Sequence, residues 1–269
     1  MAHKKMIAFL QLYNENDKGN LVRCLENCKQ WSDEIVIYDD ASTDGSLDIY
    51  LKYTERSNII IGEKNEFGRE LFHKQELLRI ALAKDPDFIG WIDGDDIFEK
   101  SLTEDMQGFL SQFPADADSM WLHNVNLWRD ECFYRVDSEF NGMDKVNIWR
   151  NNGRLHYEPC EGLHKIQTPG GLTNTIKLGY NLIHYGFSSE RSIVRKYLDY
   201  KKHGQNGWAL DRLIDENTMR LVKLPKEIYP TKNIPAHYDT VEEPMKLTYN
   251  EYRGYTSWEQ YVDDCSPNL

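Results

Sequence analysis

Residues 88–96 read Phe88-Ile-Gly-Trp-Ile-Asp-Gly-Asp-Asp96. Five uncharged residues, four of them large and apolar, give way at once to three carboxylates and a glycine. So short an apolar run, preceded by the helix-stopping pair Asp85-Pro86, reads as a buried strand. Gly94 permits a tight turn after it. Asp93 and Asp95, one residue apart, can then face one hard cation, which takes oxygen ligands and leaves positions open for phosphate. Taken alone, Asp-x-Asp is a common triplet that also fits a solvated loop or a helix N-cap. Its weight here comes from where it falls.

Working outward, the chain before this stretch repeats the same grammar. Apolar, strand-like runs occupy residues 6–13, 35–38 and 58–61. Between them helices are expected over 17–31, with Leu21, Cys24, Leu25 and Cys28 at helical spacing, from Ser42 or Asp44 to 56, and over 70–84. Asp44 is the expected cap or turn former. Ser101 and Glu104 have capping-box spacing and predict a further helix to 113. Four strand–helix alternations in 113 residues imply a parallel sheet covered on both faces. Ligands of such sheets bind at the carboxyl ends of the strands. Tyr13-Asn14-Glu15, Asp39-Asp40 and Asp93-Gly94-Asp95-Asp96 all fall there. After about residue 115 the pattern changes to strands at 119–129, 132–136, 145–149, 164–168 and 176–185, with turns at Asn141-Gly142, Asn152-Gly153 and Pro169-Gly170-Gly171. A helix over 188–203 carries Arg191, Arg195, Lys196, Lys201 and Lys202. The divisions expected are 1–115, 116–205 and a polar extension over 206–269 with a short helix near Trp258.

The 269 residues carry 32 basic and 44 acidic side chains, a net charge of −12. That argues against nucleic acid as a partner. No run approaches the roughly eighteen apolar residues a transmembrane helix needs, and the apolar start at 6–10 is too short for a signal peptide. Five cysteines without close CxxC spacing read as reduced thiols, so a cytoplasmic protein is expected. The acid is concentrated: neither 31–48 nor 85–99 contains a single Lys or Arg. Carboxylates crowded at strand ends need compensation from helix N-termini or a cation.

Four segments together carry a resemblance. Ile35-Val-Ile-Tyr-Asp-Asp-Ala-Ser-Thr-Asp-Gly-Ser46 resembles the nucleotide-binding turn of family 2 glycosyltransferases, and Phe88–Asp96 their metal-binding Asp-x-Asp segment. Leu12-Tyr-Asn-Glu15 matches the end of their first strand, and Leu182-Ile-His-Tyr-Gly-Phe187 a downstream His-Tyr-Gly-Tyr segment. The set covers about residues 6–187 in the family's order. The resemblance implies a GT-A fold: an α/β, doubly wound, mostly parallel sheet with an antiparallel, acceptor-side C-terminal half. It also implies a nucleotide-diphosphate sugar donor, UDP favoured, with Mn2+ or Mg2+ and inversion at the anomeric carbon. A divalent cation would offset the repulsion between an acidic crevice and two phosphates.

By the same resemblance Asp95 is the direct metal ligand, with Asp93 on the ribose or on a metal-bound water. His184 is a third ligand of metal or diphosphate. Asp39 or Asp40 holds the base. Tyr13, Glu15 and Gly94 line the donor site, and Lys74 lies near the donor, whereas Arg79 reads as a solvated helix charge. An inverting transfer needs a carboxylate to accept the acceptor's proton. Glu158 and Glu161 are the candidates, Glu161 preferred because Gly162 frees the backbone beside it. His164 falls in a stretch that resembles a His-Glu segment of relatives, but Lys165 follows it here. Glycan, lipid and peptide acceptors all stay open, and the basic helix allows peripheral membrane contact. The rival enzyme is a nucleotidyltransferase, against which stands an acidic 14–19 loop with one glycine. A sugar-nucleotide-binding protein without activity is the other rival, separated by turnover of donor.

Overall fold

Strict alternation along β1 (Met6–Leu12) organises the sheet. Met6, Ala8 and Leu10 point to one apolar cluster, Ile7 and Phe9 to another, because successive side chains of a strand face opposite ways. β1 pairs in parallel with β2 (Glu34–Asp39) on one side and β4 (Phe88–Trp91) on the other. β3 (Ile59–Ile61) extends the parallel half beyond β2. These positions belong to a computed structural model, which describes residues 2–137, 140, 144–162, 167–202, 204–214 and 219–223.

Both faces of this half are covered. α1 (Leu21–Trp31) sends Leu21, Cys24, Leu25, Cys28 and Trp31 into the first cluster, and α2 (Ser46–Tyr50) adds Tyr50. α3 (Glu70–Leu82) closes the other face with Leu71, Leu77, Leu78 and Ala81. Gly90 makes the first packing possible: a Cβ there would lie 2.6 Å from the Trp31 ring.

After β4 the reading and the structure part in detail. Asp96–Phe98 forms a further strand, β5, whose terminal residue has its N–H and C=O both bonded by the Asn27 side chain, at 3.0 and 2.9 Å. The single helix expected to 113 is two short ones, α4 (Lys100–Thr103) and α5 (Met106–Ser111). The expected capping box does not form. Glu99 is the N-cap, and the Ser101 hydroxyl donates to Glu99 Oε1 at 2.5 Å instead of reaching forward. The first helix likewise begins at Leu21, not 17, because a turn closed by Gly19 N–H on Asn16 C=O occupies the interval. The second ends at Tyr50, not 56.

The expected switch to antiparallel strands holds. β6 (Ser119–Asn126) and β8 (Asp144–Arg150) pair antiparallel, and β8 pairs antiparallel with β4. With β9 (Thr175–His184) the order is β3-β2-β1-β4-β8-β6-β9-β5. A two-stranded sheet joins β7 (Phe133–Arg135) to β10 (Leu221–Lys223). The helix predicted over 188–203 is α6 (Glu190–Lys202), and α7 (Trp208–Asp211) follows. The Asn141-Gly142 turn, most of the expected 164–168 strand, His164, and the helix near Trp258 lie outside the described residues.

By its contacts the chain forms two compact units. The first holds residues to His123 and Asp144–Leu182; the second holds Asn124–Met143 and the described chain from Ile183. Trp128, Phe140, Phe187, Ile193, Val194, Tyr197 and Leu198 are buried together in the second. Among the described residues no helix is long and apolar enough to cross a membrane.

Candidate functional site

The loops after β1 and β2 are stitched together at the carboxyl edge. Asn14 and Ala41 both adopt left-handed backbone, φ +50° and +61°, a conformation that costs an L-residue energy and persists where neighbours impose it. Here the neighbours are each other's loops. Asn14 N–H donates to Ser42 Oγ at 2.9 Å, and Thr43 N–H to Asn14 Oδ1 at 2.8 Å. Asp44 binds the turn from within, accepting from the Ser46 N–H and hydroxyl and from Asp17 N–H.

Asp39 and Asp40, adjacent in sequence, have separate partners. Asp39 accepts from Ser42 N–H at 2.6 Å and from the buried Tyr50 hydroxyl at 2.7 Å. Burial, with Asp39 beside it, drives the Tyr50 phenol far above its ordinary pKa, so it stays a donor. Asp40 accepts from Glu66 N–H at 3.0 Å and Asn65 Nδ2 at 2.8 Å, and lies 3.9 Å from His73 Nδ1. Burial raises the Asp40 carboxyl to about 6. Burial also holds the His73 imidazole below its usual value; the ring stacks on Tyr38 at 4.2 Å.

The acid turn after β4 is held from two directions. Glu15, buried and paired to Lys18 at 2.6 Å, packs flat against Gly94: a Cβ at that position would sit 2.4 Å from Glu15 Cγ. Gly94 is therefore required by close approach. From β8, Lys145 reaches Asp93 Oδ2 at 3.0 Å and Asp96 Oδ2 at 2.9 Å. Burial opposes its charge, yet Asp96 and Asp93 hold the ammonium above the usual lysine range. Burial alone would raise the Asp93 carboxyl, but Lys145 and Lys74 keep it below its ordinary value. Lys74 lies 4.1 Å over the Trp91 ring, and burial lowers its pKa to about 8.

Of the predicted site residues, Glu15, Asp39, Asp40, Lys74, Asp93, Gly94 and Asp95 lie in these elements of the first unit; Tyr13, just before the stitched loop, is exposed. Glu158 and Glu161 are exposed, with no hydrogen bond or ion pair to any described residue. Gly162 has φ +123° and its N–H donates to Gly68 C=O at 2.9 Å. His184 ends β9 and is buried, its Nε2 3.2 Å from Lys196 Nζ. Asp95 stands on the acid turn between Asp93 and Asp96, the two carboxylates that Lys145 holds. The sequence reading missed Lys145, Tyr50 and His73. Lys145 begins an expected strand, but nothing local assigns it to acids some fifty residues earlier.

A doubly wound sheet whose parallel strands end in interlocked, acid-rich loops defines an α/β protein that binds ligands at the carboxyl edge. Residues 9–150 match the Glycosyl transferase family 2 model, more than half of the chain, and the protein belongs to that family. It is a glycosyltransferase. The chain is similar to solved structures of S. aureus TarS 1-349: 16% identity, 78% of this chain, 69% of that one, TM-score 0.46. For the same protein with UDP-GlcNAc the figures are 14%, 78%, 70% and 0.49. The mannosyltransferase PcManGT from Pyrobaculum calidifontis, in complex with GDP-Man and Mn2+, shares 16% identity over 48% of this chain and 37% of its own, TM-score 0.32. None of the curated proteins matches in sequence.

Proposed function

We propose that the protein transfers a sugar, with inversion, from a nucleoside-diphosphate donor to a hydroxyl acceptor, with a divalent cation bound at Asp95 and His184. UDP is the first donor base to test. The observation that supports this reading is the acid turn after β4, where Asp93, Asp95 and Asp96 crowd within four residues and Lys145 reaches Asp93 and Asp96. Its oxygen-rich chemistry fits Mn2+ or Mg2+. Such an ion, when bound, stabilises negative charge on a leaving diphosphate.

The chain's own residues take the other roles. Asp40 or Asp39 accepts hydrogen bonds from the base, with Tyr13 beside it on the exposed edge. Glu15 and Gly94 fix the turn on which Asp93 meets the ribose. Lys74, which lowered basicity makes easy to discharge, faces the donor. Glu161, or Glu158, takes the acceptor hydroxyl's proton as the new bond to the anomeric carbon forms and the bond to diphosphate breaks. Their exposure and lack of partners among the described residues support that assignment.

The test is thermal melting against nucleoside diphosphates, with Mn2+ and with EDTA. Binding to the native state raises the melting temperature by mass action. A shift with UDP only when Mn2+ is present is expected, and Asp95→Ala should remove it while melting unliganded as wild type does. An Asp95→Ala protein that keeps the shift would falsify the metal assignment. Release of UDP from a UDP-sugar in the presence of acceptor then separates transfer from mere binding.

A further inference from the structure

We infer that Lys145 is a resident counter-cation that makes divalent-metal binding at the acid turn conditional on the nucleotide's phosphates. The inference rests on the metal-dependent reading above. Lys145 is anchored in mid-sheet: its strand β8 lies between β4 and β6, and Lys145 is paired with Leu122 of β6. Two residues on, Asn147 donates to Trp91 C=O at 2.8 Å, which ties the same face of β8 to the end of β4. The ammonium therefore reaches Asp93 and Asp96, at 3.0 and 2.9 Å, from a fixed base. Asp96 is fully buried, so its charge cannot be relieved by water and its neutralisation falls to this amine.

Asp93 and Asp96 flank Asp95, the residue assigned above to the metal. The acid turn is thus shared between a tethered monovalent cation and an incoming divalent one. Without a nucleotide, the ammonium satisfies Asp93 and Asp96 and repels a second cation entering beside it. A nucleoside diphosphate brings the negative charge that two adjacent cations lack. Metal and nucleotide are then coupled, each raising the affinity of the other. Lys145 is in this sense a positioning residue: it touches neither donor nor acceptor.

The probe is Mn2+ alone, followed by electron paramagnetic resonance of the free ion on the full chain. Wild type should bind it weakly, and UDP should tighten binding about tenfold or more. Lys145→Gln should bind Mn2+ without nucleotide about tenfold more tightly than wild type, and the effect of UDP should shrink. Lys145→Arg keeps the charge and should behave as wild type. Equal or weaker Mn2+ binding by Lys145→Gln overturns the proposal and leaves Lys145 a structural bridge. Should Lys145→Gln fail to fold, Lys145→Arg decides: wild-type affinity for Mn2+ alone, with coupling to UDP retained, supports the proposal, and loss of that coupling overturns it. Were GDP, and not UDP, to tighten Mn2+ binding to wild type, the uridine donor named above would fall and this inference would stand; were no nucleoside diphosphate to do so, this inference would fall.

Discussion

Asp39 and Asp40 follow one another at the end of β2, and their surroundings give them different chemistry. Asp39 has a phenol and a backbone N–H, one on each oxygen. Asp40 accepts one side-chain amide and one N–H in a buried place, and its carboxyl titrates at about 6 against 3.8 when unfolded. The sign follows from linkage. Between 3.8 and about 6 the native state holds a proton the unfolded chain has released, so stability falls as pH rises through that window and is flat above it. Two units correspond to at most about 3 kcal/mol. Urea unfolding of wild type and Asp40→Asn at about pH 5 and pH 7.5 reads this directly: the wild type should lose about 1 kcal/mol relative to the variant between the two. A difference between them that does not change with pH would show that Asp40 is already ionised at pH 5.

Elements carry these residues, and α2 shows what a five-residue helix is for. Its N-cap is Gly45 in left-handed backbone, which has no side chain to offer, and at five residues the helix has little stability of its own. What holds it is Tyr50, fully buried, with its hydroxyl on Asp39 Oδ2 at 2.7 Å. Tyr50→Phe keeps the packing and strips that oxygen of its partner, which should cost about 1–3 kcal/mol in urea unfolding. No measurable loss would mean that water replaces the phenol. At this scale the sequence is unevenly readable. The parallel half is legible because buried strands leave unbroken apolar runs and their helices keep a 3.6-residue period. β5 is not: three residues directly after the acid turn give too little pattern, and Asn27, far back on α1, secures it. The capping-box spacing of Ser101 and Glu104 misleads because Glu99 offers the serine a nearer acceptor. In the site, the acids are legible because charge at the end of an apolar strand stands out. Their counter-charge is not, since Lys145 comes from a strand about fifty residues away whose register no local rule gives.

At the scale of the molecule, the two units solve the burial of charge differently. The first keeps its carboxylates at strand ends, where Lys145 and Lys18 offset them. The second buries a whole arginine. Arg135 lies against the rings of Trp128 and Phe140, 4.5 and 4.1 Å from their centroids, where the two rings meet edge to face. It grips Asp137 with two N–H groups, at 2.8 and 2.9 Å, and gives a third to Arg212 C=O at 2.7 Å. Asp137 in turn accepts from Arg220 N–H at 2.7 Å, which ties β7 to the segment leading into β10. Planarity explains the choice of residue: a guanidinium can lie against aromatic rings and hold a carboxylate in its plane at once, which an ammonium cannot. Breaking the pair from one side should be expensive, because Arg135→Met leaves Asp137 buried without its cation, at a cost of about 3–5 kcal/mol. The loss should be local. Hydrogen exchange of peptides over 124–137 and 183–202 should accelerate strongly, while those of β1, β2 and α3 keep wild-type protection. Replacing both partners, Arg135→Met with Asp137→Leu, should restore much of the protection, since the penalty lies in the orphaned charge and not in the missing attraction. Acceleration spread evenly over both units would show that the chain unfolds as one cooperative body; a double variant no better protected than the single one would place the cost in lost ring stacking.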